Sequence, residues 1–260
     1  MLILRCPAQL QLLEETLRKS LDNHPVLQVL GTVMMVARGN PASHEVLVDS
    51  WPHFGVVLTR LRPEEHRDPR DYYINQLAVF YRDEGALRAL LRGTEAVAHA
   101  RAFQILGLQE GLEEAVREVA SARGLKVETI RPAPWPRVPS TFPLLTPRES
   151  LVEMNRSRAF LLRLVRTLPS ACLLDSRGRP VSWSLLDGQS CMRHGYTVPA
   201  WRGRGLTGIM VATLGRELHA RGFPIYGAVL PHNTASLRAL CAVGFVPQPG
   251  TLYMILGTPE

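Results

Sequence analysis

The residues best equipped for chemistry lie between positions 196 and 207, Tyr196-Thr197-Val198-Pro199-Ala200-Trp201-Arg202-Gly203-Arg204-Gly205-Leu206-Thr207. Two glycines alternate with two arginines just ahead of an apolar pattern at helical spacing. Glycine carries no Cβ, so neighbouring backbone N–H groups can converge there. The first turn of a helix adds N–H groups with no internal partner and a partial positive charge. Together these make a seat for a diphosphate, and Arg202 and Arg204 bring full charges beside it. The seat needs no metal. It is not a Walker loop, because the G-K-[ST] ending is missing. Gly203, Gly205 and Gly208 match the spacing G-x-G-x-x-G, but the turn falls late in the chain, and no acidic residue about 20 positions on tips a following strand, as a dinucleotide domain requires. In an arginine-rich chain the same four residues also make a plain surface turn.

The elements around this turn read as α/β. Cys191 to Val198 is a strand, and a helix follows with Leu206, Met210, Thr213, Leu214, Glu217 and Leu218 at i, i+3, i+4 spacing. Gly222 caps that helix, Ile225 to Leu230 is a strand, residues 233–243 are a helix ended by Gly244, and Leu252 to Leu256 closes the series. Upstream, residues 149–167 read as helix. Ala171 to Leu174 and Val181 to Leu186 read as strands about an Asp175-Ser176-Arg177-Gly178 turn. In the first half the patterns predict a helix over 8–22, a β-rich run from Val26 to Ala37 and a strand from Phe54 to Leu61. Helices over 84–93 and 109–122 and a strand from Leu125 to Ile130 follow. Six prolines between 131 and 147 block helix interiors and central strands. This segment is the predicted linker between a domain at 1–130 and one at 148–260.

Composition narrows the function classes. The chain has 260 residues, 46% apolar and 20% charged, which excludes a disordered or collagen-like chain. No apolar run reaches the roughly 18–20 residues that span a bilayer. Net charge is +7, and all the basic residues but Lys19 and Lys126 are arginine. The excess suits an anionic partner, but there is no block of like charge or basic repeat, so a nucleic-acid partner is not expected. Cys6, Cys172, Cys191 and Cys241 form no C-x-x-C pair, so neither a metal site nor a disulfide framework is expected. The first twenty residues lack the layout of a secretory signal, and Glu14 and Glu15 argue against a transit peptide.

Val198-Pro-x-x-Arg202-Gly-x-Gly205-Leu206 resembles motif A of the GNAT acyltransferases, and Asn233-Thr-Ala-Ser236 with Val243-Gly244-Phe245 resembles their motif B. Gly39-Asn40-Pro41, Asp49-Ser50-Trp51-Pro52, Tyr72, Tyr73, Val181-Ser182-Trp183, His194-Gly195-Tyr196-Thr197 and Arg221-Gly222-Phe223-Pro224 resemble the glycine N-acyltransferase family across both halves of the chain. The resemblance implies a C-terminal GNAT domain with a mixed, splayed sheet, preceded by a smaller GNAT-like α/β domain. It implies acyl-CoA as co-substrate, no permanently bound cofactor, glycine as acceptor, and a mitochondrial location, with the cytoplasm as alternative. The expected coenzyme contacts are Tyr196, Thr197, Val198, Arg202, Gly203, Arg204, Gly205, Leu206, Thr207, Asn233 and Ser236. A monomer acting on small molecules is expected.

The chain departs from the family in three places. Cys191 stands where glycine-conjugating members carry a glutamate proposed as general base. A cysteine there is a small buried hydrophobe or a nucleophile. His194 is the nearest imidazole, and regular strand alternation puts it on the opposite face from Cys191 unless a bulge intervenes. Cys191 and His194 are therefore the candidate catalytic residues, while Asp187, the nearest carboxylate, reads as a turn cap. Leu240 stands where many GNAT enzymes place a tyrosine that protonates the leaving thiolate. The segment 147–160 is shorter than the family's. These departures leave a catalytically weak or inactive acyl-CoA-binding protein as the alternative.

Overall fold

The computed structural model describes residues 1–21, 26–65, 68–93, 101–107, 109–130, 158–229, 233–246 and 253–259. The larger of its two sheets is built, in spatial order, from β1 (Leu2–Ile3), β2 (His44–Val48), β3 (Val56–Leu61), β4 (Gln76–Tyr81), β5 (Phe103–Gly107), β10 (Tyr253–Pro259) and β6 (Leu125–Ile130). β4 and β5 are parallel and the other neighbours antiparallel, so the sheet is mixed. β10 lies between β5 and β6, with Ile255 opposite Ile105 on one side and Thr129 on the other. Hydrogen bonding thus places the last strand of the 148–260 segment in the sheet of the first half.

Successive side chains of a strand point to opposite faces, and two cores form accordingly. Val46, Val48, Val57, Ala78 and Phe80 pack with α1 (Pro7–Arg18) and α2 (Leu27–Ala37). Leu47, Val56, Leu58, Leu77 and Val79 pack with α3 (Glu84–Arg92) and α4 (Leu112–Ser121). The β-rich run expected from Val26 to Ala37 is therefore wrong: the segment is α2. Every residue from Gln28 to Met35 is buried, so the run is apolar on all sides and shows no helical period to read.

The smaller sheet holds β7 (Ser170–Leu174), β8 (Pro180–Leu186) and β9 (Met192–Thr197), all antiparallel. Around it stand α5 (Arg158–Thr167), α6 (Leu206–Ala220) and α7 (Thr234–Cys241). The expected strand from Ile225 forms no ladder among the described residues and meets β9 through a single parallel bridge, Gly227 to Met192. The proline-rich linker, residues 149–157 of the predicted helix, and Leu230 lie outside the described residues.

The two halves share one core. Leu164, Leu168, Ala171, Leu186, Met192, Met210, Leu214 and Leu218 join the cluster built on α1 and α2. Gly31 of α2 marks the closest approach: a Cβ there would lie 2.0 Å from Ser190 Oγ and 2.1 Å from the Gln189 carbonyl oxygen. Arg18 of α1 donates to the Gly222 carbonyl at the end of α6, at 2.7 Å. This is where a cation complements the helix dipole.

Candidate active site

β9 ends at Thr197, a short 3-10 turn spans Pro199–Trp201, and α6 opens at Leu206. Gly203 (φ 75°) and Gly205 (φ 72°) take the left-handed conformation, and a Cβ on either would meet no atom of the described residues within 4 Å. The amides of Trp201 and Arg202 bond back to Val198 and Pro199. From Gly203 to Gly208, no acceptor among the described residues meets a backbone N–H, and Ile209 is the first to bond back, to the Gly205 carbonyl at 3.3 Å. A row of unpaired donors at a helix tip has the chemistry to hold an anion.

Around it, Arg202 donates from Nε to the Thr197 carbonyl (3.0 Å) and lies over the Tyr196 ring (5.3 Å). Arg204 lies over Trp201 at 4.8 Å. The Thr207 hydroxyl meets that of Thr197 at 3.2 Å, which meets Ser182 at 2.9 Å, tying the strand end to the helix start. Asn233 and Ser236 sit apart from this row: the Asn233 side chain caps α7 by accepting from the Ser236 amide at 3.1 Å. It is the far end of α7, at Ala239 and Val243, that approaches Gly208.

β9 also has an open edge. Val198 donates to the Val181 carbonyl at 2.9 Å. Adjacent residues of an antiparallel strand direct their polar groups to opposite sides, so the N–H and C=O of Thr197 point away from β8. Of the three amides from Tyr196 to Val198, the one at Thr197 is presented outward. On that side Met192 donates to the Tyr226 carbonyl (3.0 Å) and bridges Gly227, and no ladder continues among the described residues. Among the described residues nothing pairs with the outward Thr197 N–H, while its carbonyl accepts from Arg202 Nε at 3.0 Å.

Between bridge and edge the strand is bulged. Leu185 faces Arg193 and Trp183 faces Tyr196, so His194 and Gly195 together oppose one residue of β8. His194 holds φ 53°, a conformation that non-glycine residues rarely adopt. The bulge breaks the regular alternation and turns the His194 ring toward Tyr73 of the first half, with centroids 5.9 Å apart. Burial and the Arg193 guanidinium push the His194 pKa down to about 3. Cys191, only 1% exposed, packs with Leu106 and Met254. Burial pushes its thiol well above the ordinary range. The two candidate catalytic residues thus face different surroundings, one the core and the other a half-buried aromatic contact. Asp187 caps its turn: one oxygen accepts from the amides of Gln189 and Cys191, each at 2.9 Å, and the other from Arg193 at 3.3 Å. Sequence reasoning missed the contact with Tyr73. The one signal for it was Gly195 inside a strand, a mark of a bulge.

A family model described as aralkyl acyl-CoA:amino acid N-acyltransferase matches residues 1–137, and the model of its C-terminal region matches residues 171–254. The chain is 31% identical to glycine N-acyltransferase of Bos taurus, with 96% of each chain covered. It is 32% identical to glycine N-phenylacetyltransferase of Bos taurus, with 86% of this chain and 88% of that one covered. Among solved structures, a Drosophila protein from a structural-genomics programme superimposes with a TM-score of 0.72 at 16% identity, covering 99% of this chain and 98% of the other. That likeness shows the fold.

The α/β fold and the family match define an acyltransferase. The chain belongs to the aralkyl acyl-CoA:amino acid N-acyltransferase family, over both its N-terminal and C-terminal regions.

Proposed function

We infer that this chain moves an acyl group from a CoA thioester to the amine of glycine, giving an N-acylglycine and free CoA. The observation that carries the reading is the row of unpaired amides from Gly203 to Gly208 at the tip of α6. The coenzyme's diphosphate lies on that row beside Arg202 and Arg204, and its pantetheine arm follows the open edge of β9. Fixing the thioester there turns the transfer into an attack within one complex. The glycine nitrogen forms a bond to the thioester carbon as the carbonyl electrons move onto oxygen, where the outward Thr197 N–H stabilises them. Collapse breaks the C–S bond. The glycine ammonium has given up two protons in all, one of which goes to the thiolate and the other to water.

His194 stays neutral at physiological pH, and Cys191 stays protonated and packed. Neither is thus poised near neutrality as the general base that takes the glycine proton. A mitochondrial location is part of this reading, suggested by the family resemblance, with the cytoplasm as the alternative; no helix among the described residues is long and apolar enough to cross a membrane. Incubation with a panel of acyl-CoAs and amino acids, read by mass for conjugates and by a thiol reagent for CoA, tests the reading. N-acylglycine formed in step with free thiol is the expected result. CoA binding with no conjugate for any donor would return the chain to the binding-only alternative.

A further inference from the structure

Resting on that reading, we propose that Tyr73, contributed by the first half, is the wall of the acceptor pocket and sets its size limit. The bulge in β9 costs His194 a left-handed backbone. Strain of this kind persists where the surroundings over-determine it, and bulges re-aim side chains beside active sites. What His194 is aimed at is Tyr73, at 5.9 Å. The Arg193 guanidinium lies over the same ring at 5.7 Å, so Tyr73 is engaged by both residues at the upstream side of the bulge. The ring stands beside Arg193 and His194, in the part of β9 between the Met192 bridge and the outward amide of Thr197; on the reading above, the amine reaches the thioester along that stretch.

The wall is built to be rigid. Buried Asp71 accepts from the Tyr73 amide at 2.8 Å. The Asn75 side chain donates to the carbonyls of Asp68 and Asp71 at 3.2 and 2.9 Å. Next to it the Tyr72 hydroxyl meets that of Thr258 on β10 at 2.7 Å. An aromatic side chain has two χ angles, and here its backbone is pinned on both sides, so the wall does not recede to admit an added Cβ. Glycine, which has none, fits beside it. The ring does this work, and the hydroxyl is not required.

Steady-state kinetics of wild type, Tyr73→Phe, Tyr73→Leu and Tyr73→Ala, with glycine and alanine as acceptors, test the proposal. Tyr73→Ala is expected to raise KM for glycine at least tenfold, raise the alanine-to-glycine ratio of kcat/KM at least tenfold, and leave KM for acyl-CoA within about twofold. Tyr73→Phe is expected to behave as wild type. Tyr73→Leu, which keeps the site apolar if the alanine variant fails to fold, should shift the ratio the same way. Unchanged glycine KM and acceptor ratio in a folded variant overturn the proposal, as does equal loss in Tyr73→Phe. Failure of the wild type to conjugate glycine at all would instead strike the underlying reading.

Discussion

At the scale of single residues, the arginines and the histidine at the site have separable roles. Arg202 and Arg204 are exposed and flank a row of free amides. Charge-assisted contacts to phosphate are worth about 1–3 kcal/mol. The double variant Arg202→Ala with Arg204→Ala should therefore bind CoA more weakly by about that amount in calorimetry, with thermal stability little changed; unchanged affinity would remove the arginines from the seat. His194 carries a different signature. Its folded pKa of about 3 lies below the ordinary histidine value near 6.5. Between these values the unfolded chain takes up a proton that the folded one refuses, so stability falls as pH drops from about 6.5 toward 3 and is independent of this group above that window. His194→Asn, which tolerates the left-handed backbone, should flatten that acid limb in pH-dependent urea melts. An acid limb identical to wild type would show that the imidazole is not desolvated as described.

At the scale of elements, the decisive contact joins α2 to the turn between β8 and β9. Gly31→Ala would drive a methyl into Ser190 and the Gln189 carbonyl, and backbone cannot swing aside as a side chain would. The cost should reach about 3 kcal/mol, the upper end for overpacking, seen as a lower urea midpoint. A neutral Gly31→Ala would mean that the two halves pack less closely than described. Much of this level was legible in the sequence. The strand, glycine turn and helix from 191 to 220 were readable because their apolar residues keep a clear period and the turn needs glycine. The amphipathic α1, α3 and α4 were readable for the same reason. α2 was misread, and β2, β4 and β5 passed unmarked, for one shared cause: every residue of those strands is buried, as is most of α2. Burial on every side erases the alternation that betrays an element. Within the site, the glycine turn with its left-handed backbone and unpaired amides was readable from residue types alone. The bulge at His194 and its meeting with Tyr73 were not, because 121 positions of chain separate the two residues and no local pattern reports a contact between halves.

At the scale of the whole molecule, the first sheet is completed by β10, a strand from the second half of the chain. β10 bonds to β5 and β6 along most of its length, so deleting residues 253–260 should expose two unpaired edges in the middle of a sheet. Hydrogen exchange in β5 and β6 is expected to rise to the level of unprotected amides in that truncation, and solubility to fall. Retained protection would show that β5 and β6 hold without their central partner. The same arrangement bears on how the protein is born. While the acyltransferase half is still being made, the nascent first half carries a slot between β5 and β6 that Tyr253–Pro259 fills. The sheet therefore stays open until Tyr253–Pro259 has been made, and a premature stop anywhere upstream of Tyr253 yields a chain with sticky flanks and no means of closing them, rather than a smaller working enzyme.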